Sequence, residues 1–279
     1  MLKRLGFHVS IAGGLGEVVP RAVARGCTAF QIFTSSPSQW ARKPIADADA
    51  AAFRKAVADA GIAPVVVHAI YLLNLSSPGE ELRRKSVACL ADELARAELL
   101  GAAGVIFHLG SVGADGDPAE GVARLARSLV EARKASGSRL PLILENSAGA
   151  GALVGGSLDQ IAEIIDRAGG AEPVALCLDT AHAFGAGIPI HEKAGLDAAL
   201  GHPVVEARLA VVHANDSNGD FNSRRDRHWH VGKGRIGPQA FKRIVTHPRL
   251  RDVPLIMETP GTEDDDKANM RAMKKMLGI

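Results

Sequence analysis

Short apolar runs rich in Val, Ile, Leu and Phe recur along the chain, at 5–10 (LGFHVS), 29–34 (AFQIFT), 64–70 (PVVVHAI), 104–110 (GVIFHLG), 141–147 (PLILENS), 174–180 (VALCLDT), 209–216 (LAVVHAND) and 254–260 (PLIMETP). Runs that are apolar throughout, without alternation, mark strands buried on both faces of a parallel sheet. Between them, 47–60, 82–100, 118–136 and 158–168 carry helical periodicity, with Gly61, Gly101, Gly137 and Gly169 as stop signals. Eight βα units at steps of roughly 35–45 residues predict a single (β/α)₈ TIM barrel. A doubly wound open sheet is the alternative, but no Gly-rich nucleotide loop supports it. One stretch, 215–237, predicts an irregular loop of about 20 residues after the seventh strand, a length that in compact domains is usually functional.

Six of the eight runs end in a metal-capable side chain: His68, His108, Glu145, Asp179, His213 and Glu258. His182 follows three residues after Asp179, and Asp226 and His228 sit in the long loop. In a barrel the C-terminal strand ends converge on one face, where active sites lie. A lone histidine there is ordinarily a hydrogen-bonded rim residue, and a carboxylate beside a core carries a desolvation penalty. The coincidence of all nine predicts a cation cluster that relieves the penalty. Imidazole and carboxylate without thiolate suit Zn²⁺ first, and Mn²⁺ or Fe second. Nine ligands exceed one tetrahedral ion, so a bridging carboxylate would divide them into two or three sites. Three divalent ions would outweigh the four carboxylates and favour a phosphodiester over a neutral sugar. Clustered metals also activate water and stabilise both oxygens of a phosphoryl displacement. His8 ends the first run and fits a role orienting a ligand from behind. His230 reads as packing or as support behind a ligand, and His191, His202 and His247 as solvated surface.

Composition adds less. The chain has 279 residues, 33 Lys plus Arg against 31 Asp plus Glu, and a formal charge of +2, which names no polyanionic partner. About 150 residues per domain would suggest two domains, but barrels use roughly 250 as one, so a single domain over 1–279 is expected. The 3 cysteines, Cys27, Cys89 and Cys177, form no C-x-x-C pair and read as buried thiols in a reducing compartment. The opening MLKRLGFHVS lacks a signal peptide's apolar core, and no run approaches the ~18 residues of a membrane span. A cytoplasmic protein is expected. Arg224, Arg225, Arg227, Lys233 and Arg235 crowd the long loop. Beside a metal site they would grip phosphates, Arg227 foremost.

The motifs HVSIAGG (8–14), HAIYLLNLSSP (68–78), LENSAGAG (144–151), LDTAHAFGAG (178–187) and HANDSNGDFNSRRDRHWHVGKGRIG (213–237) resemble endonuclease IV, the zinc-dependent apurinic/apyrimidinic endonucleases of the xylose isomerase-like superfamily. The resemblance spans nearly the whole chain. It implies three zinc ions: one held by His68, His108 and bridging Glu145, a second by Glu145, Asp179, His213 and Glu258, a third by His182, Asp226 and His228. It also implies a monomer acting in base excision repair on duplex DNA. The phosphodiester 5′ to an abasic site would be hydrolysed to a 3′-hydroxyl and a 5′-deoxyribose phosphate, with Glu145 bridging and Glu258, or its zinc, positioning the attacking hydroxide. Tyr71 and Leu72 match the family's wedge positions, and Gln39 and Trp40 fit the second rim loop. An inserting Arg of some members is replaced here by Ser38, with Arg42 or Lys43 as candidate substitutes. Two rival readings remain weaker. A sugar isomerase would use Glu145, Asp179, His213 and Glu258 but has no need of the other five ligands, and a catalytically silent lesion-binding protein would have lost carboxylates that are all present.

Overall fold

The computed structural model describes residues 3–279. Eight parallel strands form one sheet: β1 (Leu5–Phe7), β2 (Phe30–Ile32), β3 (Val65–His68), β4 (Val105–His108), β5 (Leu142–Glu145), β6 (Val174–Asp179), β7 (Leu209–His213) and, last in the chain, β10 (Leu255–Met257). They are ordered β1-β10-β7-β6-β5-β4-β3-β2. A parallel bridge between His8 and Gln31, with the Val9 N–H donating to the Gln31 carbonyl at 2.7 Å, joins β1 to β2 and closes the ring. The expected (β/α)₈ barrel is thus formed, with one strand from each of the eight apolar runs.

The runs are apolar throughout because both strand faces are buried. Ala29, Val66, Ile106, Ile143, Cys177, Val211 and Ile256 point inward and pack together as the barrel's interior layer. Their strand neighbours Phe30, Ile32, Val65, Val67, Val105, Phe107, Leu142 and Leu144 point outward into the larger core beneath the helices. Each fully buried side chain of this kind contributes about 1.5–3 kcal/mol. The observed strands are shorter than the runs; the last one to three residues of each run have already turned into the rim.

The helices that matter for the site are α2 (Asp47–Asp59), α3 (Glu80–Leu99), α4 (Pro118–Ser136), α5 (Leu158–Arg167) and α6 (Thr180–Gly185), preceded by α1 (Val18–Ala24). Asp117 caps α4 by accepting from the Ala119 N–H, and Gly137 ends it at φ 64°, a left-handed conformation a glycine adopts without strain. Gly61 and Gly101 have the same role after α2 and α3, with φ of 64° and 69°. Gly169 differs from expectation: α5 has ended before it, and it opens a 3₁₀ turn. The long loop is also more ordered than expected. It contains an antiparallel hairpin, β8 (Asp216–Ser217) with β9 (His228–Trp229). Buried Asp216 pins the loop by accepting from the backbone N–H groups of Ser217, Gly234 and Ile236 at 2.8, 3.0 and 3.1 Å. All three cysteines are buried free thiols. Among the described residues no helix is long and apolar enough to cross a membrane.

Candidate metal centre

The parallel register delivers the polar strand ends to one level. His108 pairs with Glu145 across β4 and β5, and Asp179 with His213 across β6 and β7. Asp179 also caps α6 by accepting from the His182 N–H at 2.7 Å, which is why His182, one turn on, reaches the same rim. The hairpin carries His228 and Asp226 over from the other side. Ligand atoms then assemble in three groups, each within 4.8 Å: His68, His108 and Glu145; Glu145, Asp179, His213 and Glu258; and Asp179, His182 and His228.

Glu145 stands at the centre. Its Oε2 lies 3.1 Å from His68 Nε2 and 3.3 Å from His108 Nε2, while Oε1 lies 3.0 Å from His213 Nδ1 and 3.3 Å from His182 Nδ1. Glu258 Oε2 is 3.2 Å from His213 Nδ1. Asp226 Oδ1 is 3.2 Å from His182 Nε2 and 3.3 Å from His228 Nε2, so Asp226 adjoins the third group, to which Asp179 also leans, 3.4 Å from His228 Nε2.

The tautomers fit cation binding. His68 Nδ1 lies 2.7 Å from the Ala69 carbonyl, His182 Nδ1 2.9 Å from that of Asn146, and His228 Nδ1 3.3 Å from that of Glu258. A proton held at Nδ1 by a carbonyl leaves the Nε2 lone pair free. Both His182 Nε2 and His228 Nε2 are buried without a hydrogen bond. Their short contacts to Asp226 are not aligned as donor and acceptor, which is how ligands facing a shared centre are arranged. Buried polar atoms left unpaired cost roughly 1–3 kcal/mol each, and a bound cation removes that cost.

The charges point the same way. Burial by itself would raise the Glu145 carboxyl, but His213 and His108 outweigh it and hold it well below the usual carboxylate range. Glu258 is held down likewise, against its burial, by His213 and the contact with His8. Burial opposes charging of His182, yet Asp179, Asp226 and Glu145 hold it well above the ordinary imidazole value. The carboxylates around His182 thus favour positive charge at this point of the rim.

Three amides that the sequence reading did not single out tie the ligands together. Asn146 donates to the Asp179 carbonyl and accepts from its N–H, at 3.1 and 2.7 Å. Asn215 donates to Asp179 Oδ2 at 2.7 Å and accepts from the Glu258 N–H at 2.8 Å. Gln31, 0% exposed, reaches His213, Glu258 and His8. The one available signal was a polar residue at an inward register of an otherwise apolar run.

A cavity of about 560 Å³ opens over the cluster, lined by Tyr71, His108, Asp226, Arg227, His228, Glu258 and Pro260. Tyr71 is 59% exposed, the largest aromatic surface on this rim, and its N–H donates to the Pro37 carbonyl, fastening the β3 loop to the β2 loop. Leu72 is half-buried against the core, so less of it is free than of Tyr71. Gln39 and Ser38 are exposed on the β2 loop, while Trp40 is half-buried with Lys85 over its ring. Arg42 is engaged elsewhere, with Glu93 at 2.9 Å and Asp92 at 3.0 Å, leaving Lys43 as the exposed cation of that loop. Arg224, Arg225, Arg227, Lys233 and Arg235 are all exposed. Arg224 and Asn222 hold left-handed backbone conformations, φ 57° and 58°, kept in place by N–H donation to the Gly185 and Phe184 carbonyls.

Of the remaining histidines, His8 packs behind Glu258 at 3.5 Å and His230 meets Asn269 at 3.2 Å. His202 and His247 cap short helices. His191, packed against Phe184 and Phe221, is half-buried, as are His202 and His247, which corrects the expectation of solvated surface for all three.

Fold and site define a xylose isomerase-like TIM barrel with a multi-ligand metal-capable rim, and the profile of that barrel family matches residues 19–276. The chain is 42% identical over 281 residues to a probable endonuclease 4 of Methanoculleus marisnigri, covering 98% of this chain and 99% of that one. It is 41% identical to an endonuclease 4 of Thermus thermophilus, covering 99% of each. A crystal structure of endonuclease IV from Thermus thermophilus superimposes with a TM-score of 0.89 at 41% identity, covering 99% of both chains. The chain belongs to the endonuclease 4 family. A D-tagatose 3-epimerase-like protein, 20% identical with a TM-score of 0.72 over 98% of this chain and 97% of its own, shares the fold alone.

Proposed function

We propose that the protein is a zinc-dependent abasic-site endonuclease of base excision repair. It hydrolyses the phosphodiester 5′ to an apurinic/apyrimidinic site in duplex DNA, leaving a 3′-hydroxyl and a 5′-deoxyribose phosphate. The observation that carries this is the gathering of nine imidazole and carboxylate side chains on one rim, eight of them in three close groups and Asp226 beside the third, next to an exposed tyrosine and a basic loop. His68, His108 and Glu145 would hold one ion, Glu145, Asp179, His213 and Glu258 a second, and His182, Asp226 and His228 a third. Divalent ions supply Lewis acidity and charge neutralisation for phosphoryl displacement. Family membership supports the nuclease class.

The chain's own side chains do the rest. Glu145 bridges two ligand groups through its two oxygens and so sets their separation. Glu258, at the cavity wall, would help to position the attacking water. Arg227 lies on the same wall and pairs with a substrate phosphate, where a guanidinium is bidentate. Tyr71, with Leu72 behind it and Gln39 on the neighbouring loop, fills the space left when the abasic nucleotide is turned out of the stack. The residues 1–279 act as one domain, in a monomeric, cytoplasmic enzyme.

The test is incubation of the purified protein with a duplex bearing one tetrahydrofuran abasic analogue, with and without a chelator. Incision 5′ to the lesion that the chelator abolishes is the expected result; no chelator-sensitive incision sinks the proposal. Elemental analysis should find three zinc ions per chain, and one or none counts against the three-ion centre. A one-ion sugar isomerase would leave His68, His108, His182, Asp226 and His228 without purpose.

A further inference from the structure

Four of the candidate ligand imidazoles have a hydrogen-bond partner behind them, and one partner differs in kind. His68, His182 and His228 face main-chain carbonyls, which no substitution of their owner removes. His213 faces a side chain: its Nε2 lies 2.8 Å from Gln31 Oε1. The other end of the same carboxamide, Nε2, is 2.7 Å from Glu258 Oε1 and 2.8 Å from His8 Nδ1. Gln31 is wholly buried at the seam where β1 meets β2, just above Ala29 of the interior layer.

The three neighbours permit one orientation of the amide. Turned over, it would set an oxygen against the Glu258 carboxylate, two acceptors with no hydrogen between them. With its oxygen towards His213, Nε2 of that ring must carry hydrogen, and the lone pair falls to Nδ1. Nδ1 is the atom lying 3.0 Å from Glu145 Oε1 and 3.2 Å from Glu258 Oε2. With its NH₂ towards Glu258, Oε1 is occupied and Oε2 is left to face inward, where Asn215 Nδ2 steadies it at 3.3 Å.

We propose that Gln31 is a positioning residue for the four-ligand group, one carboxamide selecting both the tautomer of His213 and the free oxygen of Glu258. This rests on the reading of the cluster as a metal centre. Neither a carboxylate nor an apolar side chain can do both, because the site needs an acceptor and a donor on one short planar group. Partners behind metal ligands are worth about 10–100-fold in affinity.

The test compares wild type with Q31L and Q31A, all zinc-loaded, by competition against a chromogenic chelator. One bound ion should weaken tenfold to a hundredfold in both variants while the others keep their affinity. ¹⁵N-histidine spectra of the zinc-loaded wild type should place the His213 proton on Nε2; this measurement needs no variant to fold. Wild-type protein that takes up no zinc removes the metal reading itself. Zinc bound by wild type and by both variants with equal affinity at every ion overturns the role of Gln31 alone, as does a His213 proton on Nδ1.

Discussion

Glu258 touches more of the cluster than a strand-end carboxylate needs to. One oxygen faces His213 and Asn215, the other takes the Gln31 amide, and the whole side chain lies at the wall of the rim cavity. Replacing it by Gln keeps the shape but removes the charge. E258Q should lower single-turnover cleavage of an abasic duplex by at least about 10²-fold, with binding by fluorescence anisotropy little changed; undiminished turnover would refute its role. Arg227 belongs to a different interaction. If it pairs with one phosphate, R227A should reduce the slope of log affinity against log salt by about 1, and an unaltered slope would remove it from the interface. At this scale the charged ligands were readable, because His68, His108, Glu145, Asp179, His213 and Glu258 each interrupt an apolar run. Gln31, Asn146 and Asn215 were not. An uncharged amide within or just past a strand names no chemistry by itself, and only the partners it meets across the barrel give it meaning.

Between elements, the β2 loop shows what spacing could not reveal. Arg42 and Arg96 both reach this loop's base from opposite sides of the chain. Arg96 on α3 donates to the Thr34 hydroxyl and carbonyl and to the Lys43 carbonyl, while Arg42 on the loop pairs with buried Glu93 of α3. Glu93 also accepts from the Thr34 hydroxyl at 2.7 Å. Arg42 looked like a spare cation for DNA because its partner lies some 50 residues on, in another element. Removing one member of a buried pair costs about 3–5 kcal/mol, so R42A should lower unfolding free energy by about 3 kcal/mol in urea melts. Burial raises the Glu93 carboxyl, against Thr34 and the two guanidiniums. Its folded value lies above its unfolded one, so the stability it contributes is complete below the unfolded value and lost as pH rises through the folded value. Loss of Arg42 raises that folded value further. The cost of R42A should therefore be full at neutral pH and small near the ordinary glutamate range, about pH 4; an equal cost at both would contradict the pairing. The strands and four long helices followed from periodicity. The β8–β9 hairpin did not, since its two-residue strands are set by Asp216 pinning the loop from inside and not by any pattern along it.

Over the whole molecule, the barrel joins two requirements that the sequence showed separately, a sheet buried on both faces and a rim lined with charge. The interior layer ends where the ligands begin, so stability and metal binding share a boundary. Divalent ions at 100 times their dissociation constant add about 2.7 kcal/mol per site, and stripping them with a chelator should lower the calorimetric midpoint by about 5 °C or more; no shift would mean that the folded protein holds no ion. The strand order carries a further consequence for biosynthesis. β10 lies between β1 and β7 and immediately precedes Glu258. A nascent chain still lacking it is an open ribbon with the first and seventh strands exposed as edges, templates for mispairing with other chains. Ring closure and completion of the four-ligand group therefore wait for the same few residues. A folding intermediate without β10 therefore lacks a closed barrel and a complete rim site at once.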